Sequence, residues 1–112
     1  MRNFKNTLYE IIGERIKTKR KEKDLNQEDL SNYLNLNRSS VSNMENGRHQ
    51  IPLFVLYELS KLLEIDIHDL IPMNSEVEKV LKANEGYSKI LKNKDLGKDK
   101  KNIENLLNQI GK

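Results

Sequence analysis

The sequence predicts an all-α protein, with five helices in an N-terminal domain and a partly helical C-terminal extension. Apolar residues recur at helical spacing along the chain, and no segment alternates in the way a strand does. Only 5 Gly and 2 Pro interrupt the 112 residues. Hydrophobic residues make up 36% and charged residues 33%, against about 45–50% and 25% in typical domains, so the core must be small.

Boundary residues define the first two predicted helices. The first runs over residues 7–23. Its apolar face comprises Leu8, Ile11, Ile12 and Ile16. Asn26 is a good N-cap for the second helix, whose first turn is acidic, as the helix dipole favours. This helix ends at a break over residues 35–37, because Asn35 tolerates a left-handed conformation better than other non-glycine residues.

Three short helices complete the predicted domain. The third runs over residues 38–46 and stops at Gly47. Pro52 suits the first turn of the fourth, which carries a face of leucines. A brief fifth helix over residues 66–70 is closed by Pro72. Residues 7–72 are therefore predicted to form one folding unit.

The extension over residues 73–112 is rich in Lys and Asn and has thinner apolar content. Two weak amphipathic segments remain, one around Gly86 and one with an apolar stripe too narrow to stabilise an isolated helix. The residues of that stripe are Ile103, Leu106, Leu107 and Ile110. Two interpretations stay open, a disordered solubilising tail and a dimerisation or partner-binding element.

The composition excludes several classes of protein. There are no cysteines, which removes disulfides, thiolate nucleophiles and cysteine-ligated metals. No run approaches the ~18 consecutive apolar residues of a membrane span, and the N-terminus lacks the apolar segment of a signal peptide. We therefore expect a cytoplasmic protein with no membrane contact.

Charge is unevenly distributed about a net value of +3. Residues 1–25 hold 8 basic and 4 acidic residues, residues 26–72 hold 3 and 7, and residues 73–112 hold 9 and 6. A basic excess favours polyanionic partners in general, but it more commonly reflects a solvated lysine-rich surface. Charge alone therefore does not identify a partner.

The third predicted helix carries the candidate functional surface. Val41 and Met44 define its buried side at 100° per residue. The opposite side carries Ser39, Ser42, Asn43 and Asn46, with Arg38 and Ser40 on its flanks. A solvated face would more usually carry Lys and Glu, which are better helix formers. Short hydroxyls and amides instead suit close approach to base edges and phosphates in a major groove.

The second and third predicted helices form a helix-turn-helix pattern. In such a unit the second helix lies in the major groove while the first crosses the backbone. The side chains predicted to be buried between the two helices are Leu30, Leu34, Leu36, Val41 and Met44. The short turn of three residues between these two helices strengthens the DNA-binding interpretation of the polar face.

Several motifs occur in order along the chain: residues 20–25 (RKEKDL), 27–30 (QEDL), 35–42 (NLNRSSVS) and 44–48 (MENGR). With Pro52 and the leucines after it, they resemble the DNA-binding domain of the Cro/phage-repressor, or XRE-like, transcriptional regulators. The resemblance covers residues 9–72 and implies a lambda-repressor-like fold of five helices. Ser31 and Asn35 depart from it, because the family favours Ala and Gly at those positions.

The resemblance also implies a role for each matching residue. Arg20 and Glu45 match a structural ion pair that ties the first helix to the end of the third. Residues in base-reading positions are Arg38, Ser39, Ser42 and Asn43. Residues in positions that contact the DNA backbone are Asn26, Gln27, Ser40, Asn46 and Arg48. Together these side chains form the predicted DNA site.

These observations predict a sequence-specific regulator, acting as a repressor, that binds double-stranded DNA. It would bind as a homodimer to a pseudo-palindromic operator with half-sites ~34 Å apart, and would be nucleoid-associated when bound. The main alternative is an antitoxin, in which residues 73–112 bind a toxin protein. A third alternative, a protein-interaction module without DNA binding, is disfavoured by the intact face of Arg38 and Asn43.

Metal and catalytic chemistry have no supporting pattern. His49 and His68 lack further ligands at metal spacing in a plausible pocket. The serines of the third helix have no histidine base beside them, and no glycine-rich loop is present to cradle a phosphate. We therefore expect no metal, no cofactor and no enzymatic activity.

Overall fold

The computed structural model describes the backbone of residues 3–92 and the side chains of residues 3–84. Within this range every regular element is helical and no strand is present, which confirms the predicted all-α class. The elements are α1 (Phe4–Glu22), α2 (Gln27–Leu34), α3 (Arg38–Glu45), α4 (Leu53–Leu63), a 3₁₀ turn (Ile67–Asp69) and α5 (Asn74–Lys92).

Short polar side chains start most of these elements. Asn3 caps α1 by accepting the N–H of Asn6 at 2.9 Å, so α1 begins at Phe4, before the predicted residue 7. Asn26 and Asp29 form the two hydrogen bonds of a capping box at the start of α2, each satisfying a backbone N–H that the helix leaves unpaired. The predicted start of α2 is thus confirmed.

Four helices end with a residue in the left-handed conformation. After each one, the N–H of the next residue bonds a carbonyl oxygen five positions back, which satisfies acceptors left open in the last turn. In the part of the chain that the structure describes, the left-handed residues are Asp24, Asn35, Gly47 and Glu64. The predicted stops at Asn35 and Gly47 are confirmed. Asp24 and Glu64 were not predicted to take this conformation, although Asp, unlike Glu, is enriched in it.

The core lies between α1, α2, α3 and α4, and aliphatic side chains fill it. Its fully buried members include Ile16, Leu30, Val41, Leu59, Leu63 and Leu70. The prediction that Leu36 is buried is wrong, because its side chain is 38% exposed. Its N–H caps α2 by donating to the Ser31 carbonyl oxygen at 2.9 Å, which holds this residue in the turn at the edge of the core.

The predicted fifth helix is a single 3₁₀ turn, Ile67–Asp69. Asp66 and Asp69 form a capping box around it, and the N–H and imidazole of His68 both contact the Asp66 carboxylate. These hydrogen bonds, led by that of the backbone N–H, lower the pKa of Asp66. Pro52, predicted for the first turn of α4, is instead its N-cap residue.

The N-terminal part of the extension packs on the domain. α5 is one continuous helix through Gly86, and Val77 in its first turns is fully buried. Glu76 accepts the N–H of Met73 and pairs with Arg15 of α1, and these two partners, in that order, lower the pKa of Glu76. The stripe from Ile103 to Ile110, on which the toxin-binding alternative depends, lies outside the described residues.

Candidate nucleic-acid interface

A buried hydrogen-bonded network joins the first three helices beneath the predicted DNA-binding surface. The Arg20 guanidinium donates to both carboxylate oxygens of Glu45, with Nε–Oε2 2.6 Å and Nη2–Oε1 3.1 Å. The two side chains are 9% and 1% exposed. Arg20 also donates to the Leu25 carbonyl oxygen at 2.8 Å. This bidentate pair fixes the end of α3 against the end of α1.

Gln27 extends the network to α2. Its amide nitrogen donates to Glu45 Oε1 at 3.1 Å. The first residue of α2 is therefore hydrogen-bonded to the last residue of α3. The second N–H and the oxygen of the Gln27 amide remain available to other partners. Gln27 is half-buried, whereas its neighbour Asn26 is exposed with its side-chain oxygen engaged in the cap of α2.

The polar face of α3, which carries the predicted base-reading residues, is open to solvent at its N-terminal end. Arg38 and Ser39 are exposed, while Ser42 and Asn43 are half-buried. Ser40 is also half-buried, and Val41 lies fully buried behind it. The structure therefore places the four predicted base-reading residues along one side of α3, with their accessibility decreasing towards the middle of the helix.

Asn37 organises the start of this face. Its Oδ1 accepts the N–H of Ser40 at 2.7 Å and the hydroxyl of Ser39 at 2.9 Å. One side chain therefore caps α3 and holds the Ser39 hydroxyl, which leaves the Ser39 oxygen free to accept from a further donor. Asn37 is not among the predicted site residues, although an asparagine just before a helix is an N-cap signal.

The segment after α3 is hydrogen-bonded to the polar face of α3. Arg48 donates its N–H to the Asn43 carbonyl oxygen at 3.0 Å. Gly47 has φ of +69°, and a Cβ there would lie 2.6 Å from Cα of Glu10 in α1, so only glycine fits this turn. Asn46 and Arg48 are exposed beside it, which places two of the five predicted backbone-contacting residues at the C-terminal end of α3.

The charges of this surface favour an anionic partner. The one acidic residue of α3 is Glu45, and its carboxylate is buried and paired with Arg20. The following residues 46–50 contain no Asp or Glu. The exposed part of α3 and its loop therefore presents Arg38 and Arg48 without a competing exposed carboxylate.

Gly13 is a positioning residue that the sequence analysis missed. A Cβ at this position would collide with the carbonyl oxygen of Met44 and lie 2.7 Å from that of Glu45. The backbone of α1 therefore passes directly against the last turn of α3. A lone glycine inside an amphipathic helix, where it is intrinsically unfavourable, was the available signal for such a contact.

No group of three His, Asp or Glu side chains that could hold a metal is present among the residues the structure describes. In that same part of the chain, no helix is both long and apolar enough to cross a membrane.

Comparisons with known proteins agree with this geometry. A family model described as helix-turn-helix matches residues 16–70. Over 59 residues the chain is 36% identical to the ImmF control region 10 kDa protein of Bacillus phage phi105, covering 53% of this chain and 66% of that protein, just under two thirds. The crystal structure of the restriction-modification controller protein C.AhdI from Aeromonas hydrophila matches with a TM-score of 0.53 and 30% identity, covering 56% of this chain and 96% of that one.

Proposed function

The chain belongs to the XRE-like helix-turn-helix family of DNA-binding transcription regulators, and from that premise we propose that it is a cytoplasmic repressor that binds a pseudo-palindromic operator as a homodimer. The observation that carries the proposal is the polar face of α3, which a buried ion pair holds against α1 and α2. The name of the phage relative, a control region protein, supports a role in gene control.

In this proposal α3 reads bases in the major groove. Arg38 stands exposed at the first position of the helix, from which a guanidinium can donate to O6 and N7 of one guanine. Asn43 can pair with N6 and N7 of an adenine. Ser39 and Ser42 are short enough to let the helix approach the base edges between these two contacts.

The DNA backbone is held at both ends of the reading helix. The free N–H of the Gln27 amide can donate to a phosphate while its other N–H stays on Glu45, so the same residue couples phosphate binding to the position of α3. Asn26 and Ser40 lie near the starts of α2 and α3, where backbone N–H groups favour anions. Asn46 and Arg48 contact the backbone after α3.

The proposed homodimer buries an apolar patch on α4, comprising Leu53, Phe54 and Tyr57. These side chains are 62%, 65% and 50% exposed and occupy positions i, i+1 and i+4 on one side of the helix. The opposite side, with Leu56 and Leu59, is buried in the core. A second copy of the chain is the expected occupant, since a two-fold interface pairs the same patch on both subunits and matches a pseudo-palindromic site.

Sequence-specific binding is tested with DNA from just upstream of the gene for this protein. We expect saturable binding by fluorescence anisotropy, at least ~10³-fold tighter than to scrambled DNA, with two chains per duplex. The Arg38→Ala/Asn43→Ala variant should lose this preference but keep its salt-dependent binding to any sequence. A protein that binds operator and scrambled DNA equally, across a salt series, would contradict sequence-specific recognition.

Arg38→Ala alone separates base reading from phosphate contact. It should relax specificity at one base pair per half-site, by roughly 1–3 kcal/mol of discrimination. An equal loss of affinity for every sequence would instead make Arg38 a backbone contact.

Phe54→Ser tests the dimer. Because each dimer buries two copies of the patch, losing about 1.5–3 kcal/mol per phenylalanine should weaken self-association by ~10²-fold or more, measured by sedimentation equilibrium. Tyr33→Ser removes another exposed aromatic side chain, on α2, and should leave the association constant unchanged. Dimerisation of Phe54→Ser as tight as that of the wild type would place the interface elsewhere.

A further inference from the structure

An open groove of about 530 Å³ lies next to the end of α3, outside the helix-turn-helix unit. Its walls come from two parts of the chain: Lys5, Asn6 and Tyr9 of α1, and residues 47–50 of the loop after α3. None of the predicted base-reading residues lines it.

The chemistry of the groove suits a phosphate. Lys5 of α1 and Arg48 of the loop both line the groove, and none of the described residues that line it is Asp or Glu. The amides of Asn6 and Gln50 and the hydroxyl of Tyr9 add hydrogen-bond donors. Charge-assisted donors from several directions are the groups that bind phosphate oxygens in proteins.

The position of the groove connects it to DNA. Arg48 is hydrogen-bonded through its N–H to the Asn43 carbonyl oxygen of the polar face, so one wall is fixed directly to α3. The other wall is held close because Gly47 lacks a Cβ, which lets α1 pass against the loop at Glu10. A DNA strand that follows α3 out of the major groove would therefore run past Lys5.

The first turns of α1 lie outside the segment that the family model matches. The helix-turn-helix model matches residues 16–70, whereas α1 begins at Phe4. Lys5 and Asn6 are exposed, as are Arg48 and Gln50 across the groove. An open, solvated groove of this kind fits a continuous backbone better than a small anion, which usually binds in an enclosed pocket.

We propose that this groove binds a DNA backbone phosphate beyond the base pairs read by α3, with Lys5 as the cation that α1 contributes. The proposal rests on the proposed DNA-binding function, since it extends the contact surface of the same protein. It adds affinity for any sequence and no sequence preference of its own, because phosphates carry no base information.

The test is the salt dependence of DNA binding by Lys5→Gln in the full chain. Losing one phosphate contact should lower the magnitude of the slope of log K against log[salt] by about 0.9. Binding should be weaker than wild type at low salt, and the two should converge as salt rises. The change should be the same on operator and scrambled duplexes, so the ratio of the two affinities stays at its wild-type value.

Lys21→Gln is the matched control, because Lys21 is an exposed lysine at the other end of the same helix and the substitution removes the same charge. Its slope should equal that of the wild type. Equal slopes for Lys5→Gln and wild type would overturn the groove proposal, and so would equal slope losses in both variants, which would indicate a general charge effect. A wild type with no preference for its operator would overturn the proposed function alone, because the slope comparison on scrambled DNA would still test the groove.

Discussion

Replacing Glu45 by alanine should lower the free energy of unfolding by about 3–5 kcal/mol, because it leaves the buried Arg20 guanidinium without its counter-charge. The Glu45 side chain is 1% exposed and accepts from both Arg20 and Gln27, so one substitution removes the link among three helices. Domains of this size are stable by only about 5–15 kcal/mol. The midpoint of urea unfolding, followed by circular dichroism, measures the loss.

Two further variants show whether burial causes this effect. Lys23→Ala breaks the exposed pair between Lys23 Nζ and Glu64 Oε2, which is 2.7 Å long, and should leave the midpoint nearly unchanged because water screens that pair. Arg20→Leu/Glu45→Leu replaces both buried charges and should recover much of the stability that Glu45→Ala loses. A loss in Glu45→Ala no larger than that in Lys23→Ala would contradict the role assigned to the network.

Gly13→Ala should destabilise the protein by about 1–3 kcal/mol, although alanine is the better helix former by ~0.8–1 kcal/mol. The added Cβ meets the backbone carbonyls of Met44 and Glu45, which are part of a packed helix and cannot rotate away as a side chain could. The last turn of α3 must therefore move, together with the ion pair that it carries. Urea unfolding measures the stability, and operator affinity reports the displacement of α3.

Thr18→Ala is the control for Gly13→Ala. Thr18 is an exposed residue of the same helix, and its substitution raises helix propensity without adding an atom that meets α3. It should be neutral or slightly stabilising. A Gly13→Ala protein as stable as Thr18→Ala would show that α1 and α3 do not approach as closely as the geometry indicates.

Local sequence signals were sufficient for most of the helical framework. The capping box of Asn26 and Asp29, the left-handed Asn35 and the stop at Gly47 each depend on residues within a few positions, so the short-range physics of helix ends predicts them. The buried side of α3 followed from its periodicity. The same reasoning could not predict the left-handed Glu64, because glutamate has no intrinsic preference for that conformation.

The polar face of the candidate site was likewise predictable. The hydrogen bonds that hold α3 and its side chains in position were only partly predictable. Arg38 and Asn43 lie on a side of α3 that helical periodicity alone exposes. The role of Asn37 is local, because its partners Ser39 and Ser40 lie two and three positions along the chain. The role of Gln27 depends on Glu45, which lies 18 positions away and is brought close only by the fold. Gln27 shares the Glu45 carboxylate with Arg20, and Asn37 holds the hydroxyl of Ser39.

The sequence by itself determined that the chain is helical, where α2 and α3 start and stop, and which side of α3 is polar. These properties follow from interactions between residues that are close along the chain. Only the tertiary structure decided that Gly13 must lack a side chain, that α5 packs on α1 with Val77 buried, and that Lys5 and Arg48 line the same groove. Those features join residues from distant parts of the chain, whose approach is set by the packing of whole helices rather than by local preference.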